Sequence, residues 1–242
     1  MIAWTSAAAT DVGGKRKINE DALLARPDAG LWVVADGMGG HAAGDVASHA
    51  VIHPLSQIER HAALADFVDA VEDSLLLVNQ QLRDYARDEL GGRTVGSTVV
   101  SLILSQRTGV CLWAGDSRLY RLRQGQLVRL SRDHSAVQEM LDAGAITPAD
   151  AVGHPQSNVI TRAVGGAEIL LVDTAVFAPQ AGDTYLLCSD GLYNEVAEDS
   201  IRRKLALDDE QEATRRLVDE ALHNGGRDNI SVVVVKITDV PE

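Results

Sequence analysis

Leu31-Trp32-Val33-Val34-Ala35-Asp36-Gly37-Met38-Gly39-Gly40-His41-Ala42 is an apolar run that ends in a carboxylate and a glycine cluster. A short unbroken apolar run predicts a buried strand over 31–35. The glycines match G-x-G-x-x-A, the fingerprint of a dinucleotide-binding βαβ unit, and Glu59 lies about twenty residues on. Two features argue against such a unit. Asp36 would aim a carboxylate at the pyrophosphate, and Glu59 falls in helical sequence instead of ending a second strand. A nicotinamide or flavin site is set aside.

Outward from this stretch the periodicity changes repeatedly. A helix is predicted over 42–58, disturbed at Pro54, and a longer one over 66–89. In the longer one Val71, Leu75, Val78, Leu82 and Tyr85 recur on one face, and Gly91-Gly92 ends it. Strands are predicted over 97–104, 110–114, 119–122 and 127–130, with Gln124-Gly125 as a hairpin turn. A helix over 136–143 leads into an irregular stretch, 144–166, holding Pro148 and Pro155. Strands over 170–177 and 184–189, a helix over 210–222 and a strand over 230–237 complete the chain. Strands and helices come in runs, not in strict alternation. That pattern predicts an α+β fold of antiparallel sheets with helices packed outside. With no Pro/Ser/Gly-rich linker, residues 1–242 read as a single domain.

Hydrophobic residues make up 45% of the 242, enough for a large core, and only 4% are aromatic. The formal charge of −13 argues against a nucleic-acid or anionic-membrane surface, which needs basic patches. The start, MIAWTSAAATD, lacks the basic and apolar regions of a signal peptide. No apolar run approaches the ~20 residues of a membrane helix. Cys111 and Cys188 lie in strand-like runs and read as buried free thiols. A cytoplasmic location is expected.

Four aspartates stand where strands are predicted to end: Asp36, Asp116 in WAGDSR, Asp190 in LLCSDGL and Asp228 in GGRDNIS. Any one Asp-Gly could be only a turn. Should they converge, that much negative charge needs cations, and all-oxygen ligands favour Mg²⁺ or Mn²⁺. Two such ions would bring the formal charge from −13 to −13 + 4 = −9. The hexapeptide Arg16-Lys17-Ile18-Asn19-Glu20-Asp21 adds two carboxylates and a guanidinium able to bind phosphate oxygens bidentately. Competing chemistries fail. Neither cysteine has an arginine six positions later, those places being Ser117 and Asn194, and no G-x-x-x-x-G-K-[ST] or H-E-x-x-H occurs. His49 and His53 read as a solvated helix face, Asp133 and His134 as a turn or cap, and Arg162 as structural.

In combination the segments RKINED, VADGMGGHAAG, GST (96–98), GDSRLY, SRDHS, CSDGL and GGRDNIS resemble the metal-dependent serine/threonine protein phosphatases of type 2C, the PPM family, in their compact bacterial form. The resemblance covers essentially the whole chain and keeps the family's motif order. It implies a four-layer α-β-β-α sandwich, two central antiparallel sheets flanked by helices. It implies that Asp36 bridges two tightly bound Mn²⁺ or Mg²⁺ ions, with Gly37 adding its carbonyl. Asp190 and Asp228 would hold the first ion and Glu20 the second, with Asp21 a direct or water-mediated ligand. Asp116, with Asp190, would serve a weaker third ion. Arg16 would bind the substrate phosphate and His41 would act as general acid. Segment 144–166 coincides with the family's flap. The implied reaction is hydrolysis of protein phosphoserine or phosphothreonine, reversing a bacterial Ser/Thr kinase, with type VI secretion among the known contexts. A monomer is expected. A relative that had lost turnover would usually show replaced ligands, and here every expected carboxylate is present.

Overall fold

The computed structural model describes residues 1–39 and 43–239. Its strands are β1 (Ile2–Asp11), β2 (Asp21–Arg26), β3 (Leu31–Met38), β4 (Gly96–Ser97), β5 (Val99–Leu104), β6 (Gly109–Ala114), β7 (Arg118–Arg123), β8 (Gln126–Arg129), β9 (Asp173–Phe177), β10 (Thr184–Cys188) and β11 (Ile230–Asp239). Its helices are α1 (Ala43–Gln57), α2 (Leu64–Asp88), α3 (Ala136–Asp142), α4 (Pro148–Ala151), α5 (Asp190–Tyr193), α6 (Glu198–Leu205) and α7 (Glu210–His223).

Strand β3 shows why the layers form. Successive side chains leave a strand on opposite faces, and here both faces are apolar. Leu31, Val33 and Ala35 pack towards α1 and α2, while Trp32 and Val34 pack towards the second sheet. Strand β11 repeats the pattern: Ile230, Val232 and Val234 meet α6 and α7, and Val233, Val235 and Ile237 turn inward. One sheet has the order β1-β11-β10-β7-β8 and the other β2-β3-β5-β6-β9, with β4 added to β3. The pairings are antiparallel.

Trp32, Leu102, Trp113, Tyr185 and Leu187 fill the space between the sheets. Val51, Leu55, Phe67 and Leu75 of α1 and α2 cover one outer face. Ile201, Leu205 and Leu217 of α6 and α7 cover the other. Each such side chain contributes ~1.5–3 kcal/mol when fully buried. The product is the expected α+β sandwich of four layers.

Several elements differ from the sequence reading. β1 and β2 were not expected. β1 is an edge strand rich in alanine, a poor strand former, and it is held by a ten-residue register with β11, from Ile2↔Asp239 to Asp11↔Ile230. Pro54 lies inside α1 without stopping it at once; it removes the donor to the Ala50 carbonyl, and the helix ends three residues later. The strand expected over 97–104 divides at Thr98 into β4 and β5. The strand expected over 170–177 begins only at Asp173, and α6 forms in a charged segment where only Ser200, Ile201 and Leu205 are buried. Short α4, closed by a Thr147–Asp150 capping box, interrupts the irregular stretch. Gln124 and Gly125, with φ of 50° and 79°, form the anticipated tight turn.

Candidate metal-binding active site

The acidic residues come from strand ends in both sheets. β2 pairs antiparallel with β3 so that Asp21 stands directly opposite Asp36. In the other sheet β10 and β11 are neighbours. Asp190 opens α5 just after β10, instead of ending the strand, and Asp228 precedes β11. Asp116 follows β6 in the turn Gly115-Asp116-Ser117.

Two glycines let these backbones close up. A Cβ on Gly37 would fall 1.9 Å from the Gly44 carbonyl oxygen and 2.7 Å from that of Glu20. A Cβ on Gly191 would fall 1.9 Å from the Asn229 carbonyl oxygen. No real side chain tolerates such contacts, so only glycine permits this packing.

Polar side chains then fix the segments. Asn229 accepts from the Glu20 amide at 2.8 Å and donates through Nδ2 to the carbonyls of Val12 and Ile18 at 2.9 and 3.0 Å. It thereby fastens the loop that carries Arg16 and Glu20 to the segment that carries Asp228. Ser189 donates to Asp21 Oδ2 at 2.7 Å. Thr98 receives the Asp36 amide on its hydroxyl at 3.1 Å and shares a 2.7 Å hydrogen bond with Ser117. It joins the Asp36 strand to the Asp116 turn. His134 Nδ1 accepts from the Gly115 amide at 3.1 Å, and Nε2 lies 3.2 Å from Asp173. Tyr193 donates to the Asp116 carbonyl at 3.1 Å. Arg118 forks onto Asp133 and lies 3.5 Å above the Tyr193 ring.

The electrostatics report a shared negative centre. Burial lifts the Asp36 carboxyl well above its ordinary 3.8, and Asp21, Asp190, Asp116 and Asp228 push it further. Asp21 rises to about 7, first through burial and then through Asp190 and Asp228, against relief from Ser189 and Ser231. Asp190 rises to about 7 through burial, Asp116 and Asp228. Asp116 rises to about 6 through burial and Asp133, with Arg118 opposing. Arg16 borders this centre: its guanidinium bonds Asp228 Oδ2 at 2.7 Å and is held charged chiefly by it.

The donor set fits hard divalent ions. It is all oxygen, and Asp21 Oδ1 is buried with no hydrogen-bond partner among the described residues, an arrangement that costs free energy unless something pairs with it. Among the described residues no three His, Cys, Asp or Glu side chains form a ready-made ligand shell. The fit therefore rests on the mutual electrostatics and on that orphaned oxygen.

Arg16, Glu20, Asp21, Asp36, Gly37, Asp116, Asp190 and Asp228 thus sit in the segments that these bonds draw together. His41 lies outside the described residues. Both cysteines are buried free thiols. Asp133 and His134, read as a turn or cap, anchor Arg118 and the Gly115 amide. Arg162 pairs with Asp173 at 2.5 Å. The supporting roles of Asn229, Ser189 and Tyr193 had no signal in the sequence, because each is defined by a partner far along the chain.

A double-sheet sandwich with an oxygen-rich, cation-demanding centre at its strand ends defines the class of metal-dependent hydrolases. Residues 14–225 match the family model described as Protein phosphatase 2C, and the chain belongs to that family. The serine/threonine protein phosphatase PstP of Mycobacterium tuberculosis is 37% identical over 233 residues, covering 96% of this chain and 45% of PstP. The chain thus spans about half the length of that relative. The serine/threonine phosphatase stp of Listeria monocytogenes is 36% identical over 94% of this chain and 93% of its own length. Among solved structures, PppA, a key regulatory component of T6SS in Pseudomonas aeruginosa, superposes with a TM-score of 0.91 at 45% identity, covering 97% of this chain and 98% of PppA. The PstP catalytic domain in complex with 2 manganese ions gives a TM-score of 0.88 at 34% identity, covering 99% of this chain and 100% of that one. No described helix is long and apolar enough to cross a membrane.

Proposed function

We propose that this chain is a protein serine/threonine phosphatase, a single catalytic domain over 1–242 that hydrolyses phosphoserine and phosphothreonine monoesters. The observation that carries the reading is the set of buried and half-buried carboxylates that press on Asp36, with Arg16 as the neighbouring cation. Asp36, Asp190, Asp228, Glu20, Asp21 and the Gly37 carbonyl would hold two Mn²⁺ or Mg²⁺ ions, and Asp116 with Asp190 a weaker third. When bound, such ions acidify a water enough to attack phosphorus at neutral pH and neutralise charge on the phosphoryl oxygens.

The chain's own residues supply the rest. Arg16, half-exposed beside Asp228, turns its forked donors to the nonbridging oxygens and favours the charge that builds there in the transition state. Asn229 keeps that loop in register through its three hydrogen bonds. Ser189 holds Asp21 with one oxygen engaged and the other free. His41 would deliver a proton to the departing serine or threonine alkoxide, worth about 10²–10⁴-fold. Segment 144–166 would act as the flap that meets the phosphopeptide. The opposing partner would be a bacterial Ser/Thr kinase in the cytoplasm, and the likeness to PppA supports a type VI secretion setting.

The test is Mn²⁺- or Mg²⁺-dependent release of phosphate from pSer and pThr peptides, compared with free phosphometabolites. Asp36→Asn should abolish it. Hydrolysis that survives chelation, or that favours metabolites over phosphopeptides, would contradict the proposal.

A further inference from the structure

Besides the acidic centre, the molecule carries a polar cleft of about 440 Å³ between the C-terminal half of α2, the loop that follows it, and residues 165–168. Arg83, Arg87 and Arg93 all line it, against Asp84 and Glu168. In a chain with 22 basic and 35 acidic residues, a lining of three arginines against two carboxylates, formally +1, stands out. Arg87 is paired with Asp84 and Asp88 at 2.8 and 2.7 Å. Arg93 uses only Nε, bonded to the Leu90 carbonyl at 3.2 Å. Arg83 is half-buried and, among the described residues, has no ion-pair partner. Two guanidinium groups therefore keep donors free for a ligand.

The cleft is wired to the acidic centre by backbone. From Arg93 and Thr94 the chain enters β4, which pairs with β3 as Gly37↔Ser97 and Met38↔Gly96. The Thr98 amide bonds the Asp36 carbonyl at 2.8 Å. The opposite wall is joined in the same way: Val164 exchanges two 2.9 Å backbone bonds with Ser97, and Asn79 of α2 accepts from the Gly165 amide at 2.7 Å. Thr94 lies three residues before Ser97, at most about 10–11 Å along the chain at ~3.3–3.6 Å per residue. An extended peptide with its phosphorylated side chain at Asp36 would reach the cleft about three to five residues away.

We propose that this cleft is an accessory subsite for a second anionic group on the phosphoprotein substrate, an acidic side chain or a second phosphorylated residue. It selects substrates whose phosphosite lies a few residues from other negative charge. The inference rests on the phosphatase reading above and deepens it. Arginine is suited to both ligands because its planar fork matches carboxylate and phosphate alike. Its free donors, close to a wall of backbone, favour recognition over mere screening.

Three phosphothreonine peptides test it: neutral flanks, a glutamate about four residues away, and a phosphoserine at that place. They are compared on the wild type and on Arg83→Gln/Arg93→Gln, with p-nitrophenyl phosphate as a substrate too small to reach the cleft. The wild type should show kcat/KM about tenfold higher for an anionic peptide, the size two half-exposed ion pairs allow. The double variant should lose that gain and keep its rates on the neutral peptide and on p-nitrophenyl phosphate. A gain with both anionic peptides identifies the ligand as any anion, and a gain with only one identifies its source. No gain in the wild type, or a gain the variant retains, overturns the subsite. If nothing is hydrolysed, the phosphatase reading fails separately. Fluorescence-anisotropy binding of the same peptides to both proteins still decides the subsite: equal affinities of wild type and variant for the anionic peptides would overturn it.

Discussion

Asp21 and Asp36 occupy directly opposed positions of the β2–β3 pair, so two carboxylates leave the same face of a sheet side by side. Like charges so placed destabilise a strand pair, yet here Asp21 is buried, Asp36 is half-buried, and further acids surround them. The position costs folding free energy and is explained by what it can bind.

That cost sets a pH dependence for the protein in chelator. Asp21 and Asp190 are lifted from 3.8 to about 7 and Asp116 to about 6. Between about pH 4 and 7 the folded state therefore holds more protons than the unfolded chain, and stability falls as pH rises through that window. The penalty is absent below it and complete above it. For Asp21 alone it amounts to ~4 kcal/mol, and a domain of this size moves its Tm by about 2–4 °C per kcal/mol. Thermal melts in chelator should fall by on the order of 10 °C from about pH 5 to about pH 7.5, and Mn²⁺ should restore more at the higher pH. Melts that are flat with pH and indifferent to Mn²⁺ would refute a charged centre.

Asn229→Ala should act on the loop that carries Arg16. Three hydrogen bonds disappear at once, leaving the Glu20 amide and two carbonyls without their partner. At ~1 kcal/mol each, the loss should be about 3 kcal/mol in urea unfolding. KM for a phosphopeptide should rise because the guanidinium is no longer held. An unchanged KM would mean that Arg16 is positioned by Asp228 alone.

How far the sequence reveals all this depends on the range of each interaction. The alternating core of β3 and β11 is visible because both faces of those strands are apolar, and the α2 stripe is visible through its period. Strand β1 is hidden, since an alanine-rich edge becomes a strand only through β11, more than two hundred residues on. The carboxylates stand out as Asp-Gly, Asp-Ser and Asp-Asn steps beside apolar runs. The tethering roles of Asn229, Ser189 and Thr98, which lie in the same motifs, do not, because a hydrogen-bond partner 62 to 217 residues distant leaves no local pattern.

Gly44→Ala tests Glu20 and Gly37 as metal ligands. A Cβ there would lie 2.4 Å from Glu20 Oε1 and 2.7 Å from the Gly37 carbonyl oxygen, two of the proposed ligands. Alanine is favoured over glycine within a helix by up to ~1 kcal/mol, which offsets part of the strain. The melt in chelator should fall by the strain that remains, while calorimetric Mn²⁺ affinity should fall about tenfold, the effect of ~1.4 kcal/mol. Unaltered Mn²⁺ affinity would remove Glu20 and Gly37 from the ligand set.

Asp116→Asn tests the division between tight and weak ions. Asp116 is 6% exposed; its backbone carbonyl receives the Tyr193 hydroxyl at 3.1 Å, and the same hydroxyl eases the charge on its carboxylate, a contact an amide oxygen can still accept. The isosteric amide should therefore keep the turn while removing a charge that raises the pKa values of Asp36 and Asp190. With less repulsion, the variant should melt higher than wild type in chelator. Calorimetry should still find the tight pair of Mn²⁺ sites, whereas turnover on a phosphopeptide should drop about 10²–10³-fold, as when one transition-state contact is removed. Loss of every Mn²⁺ site in this variant would place Asp116 within the tight pair and overturn the assignment of a separate third ion.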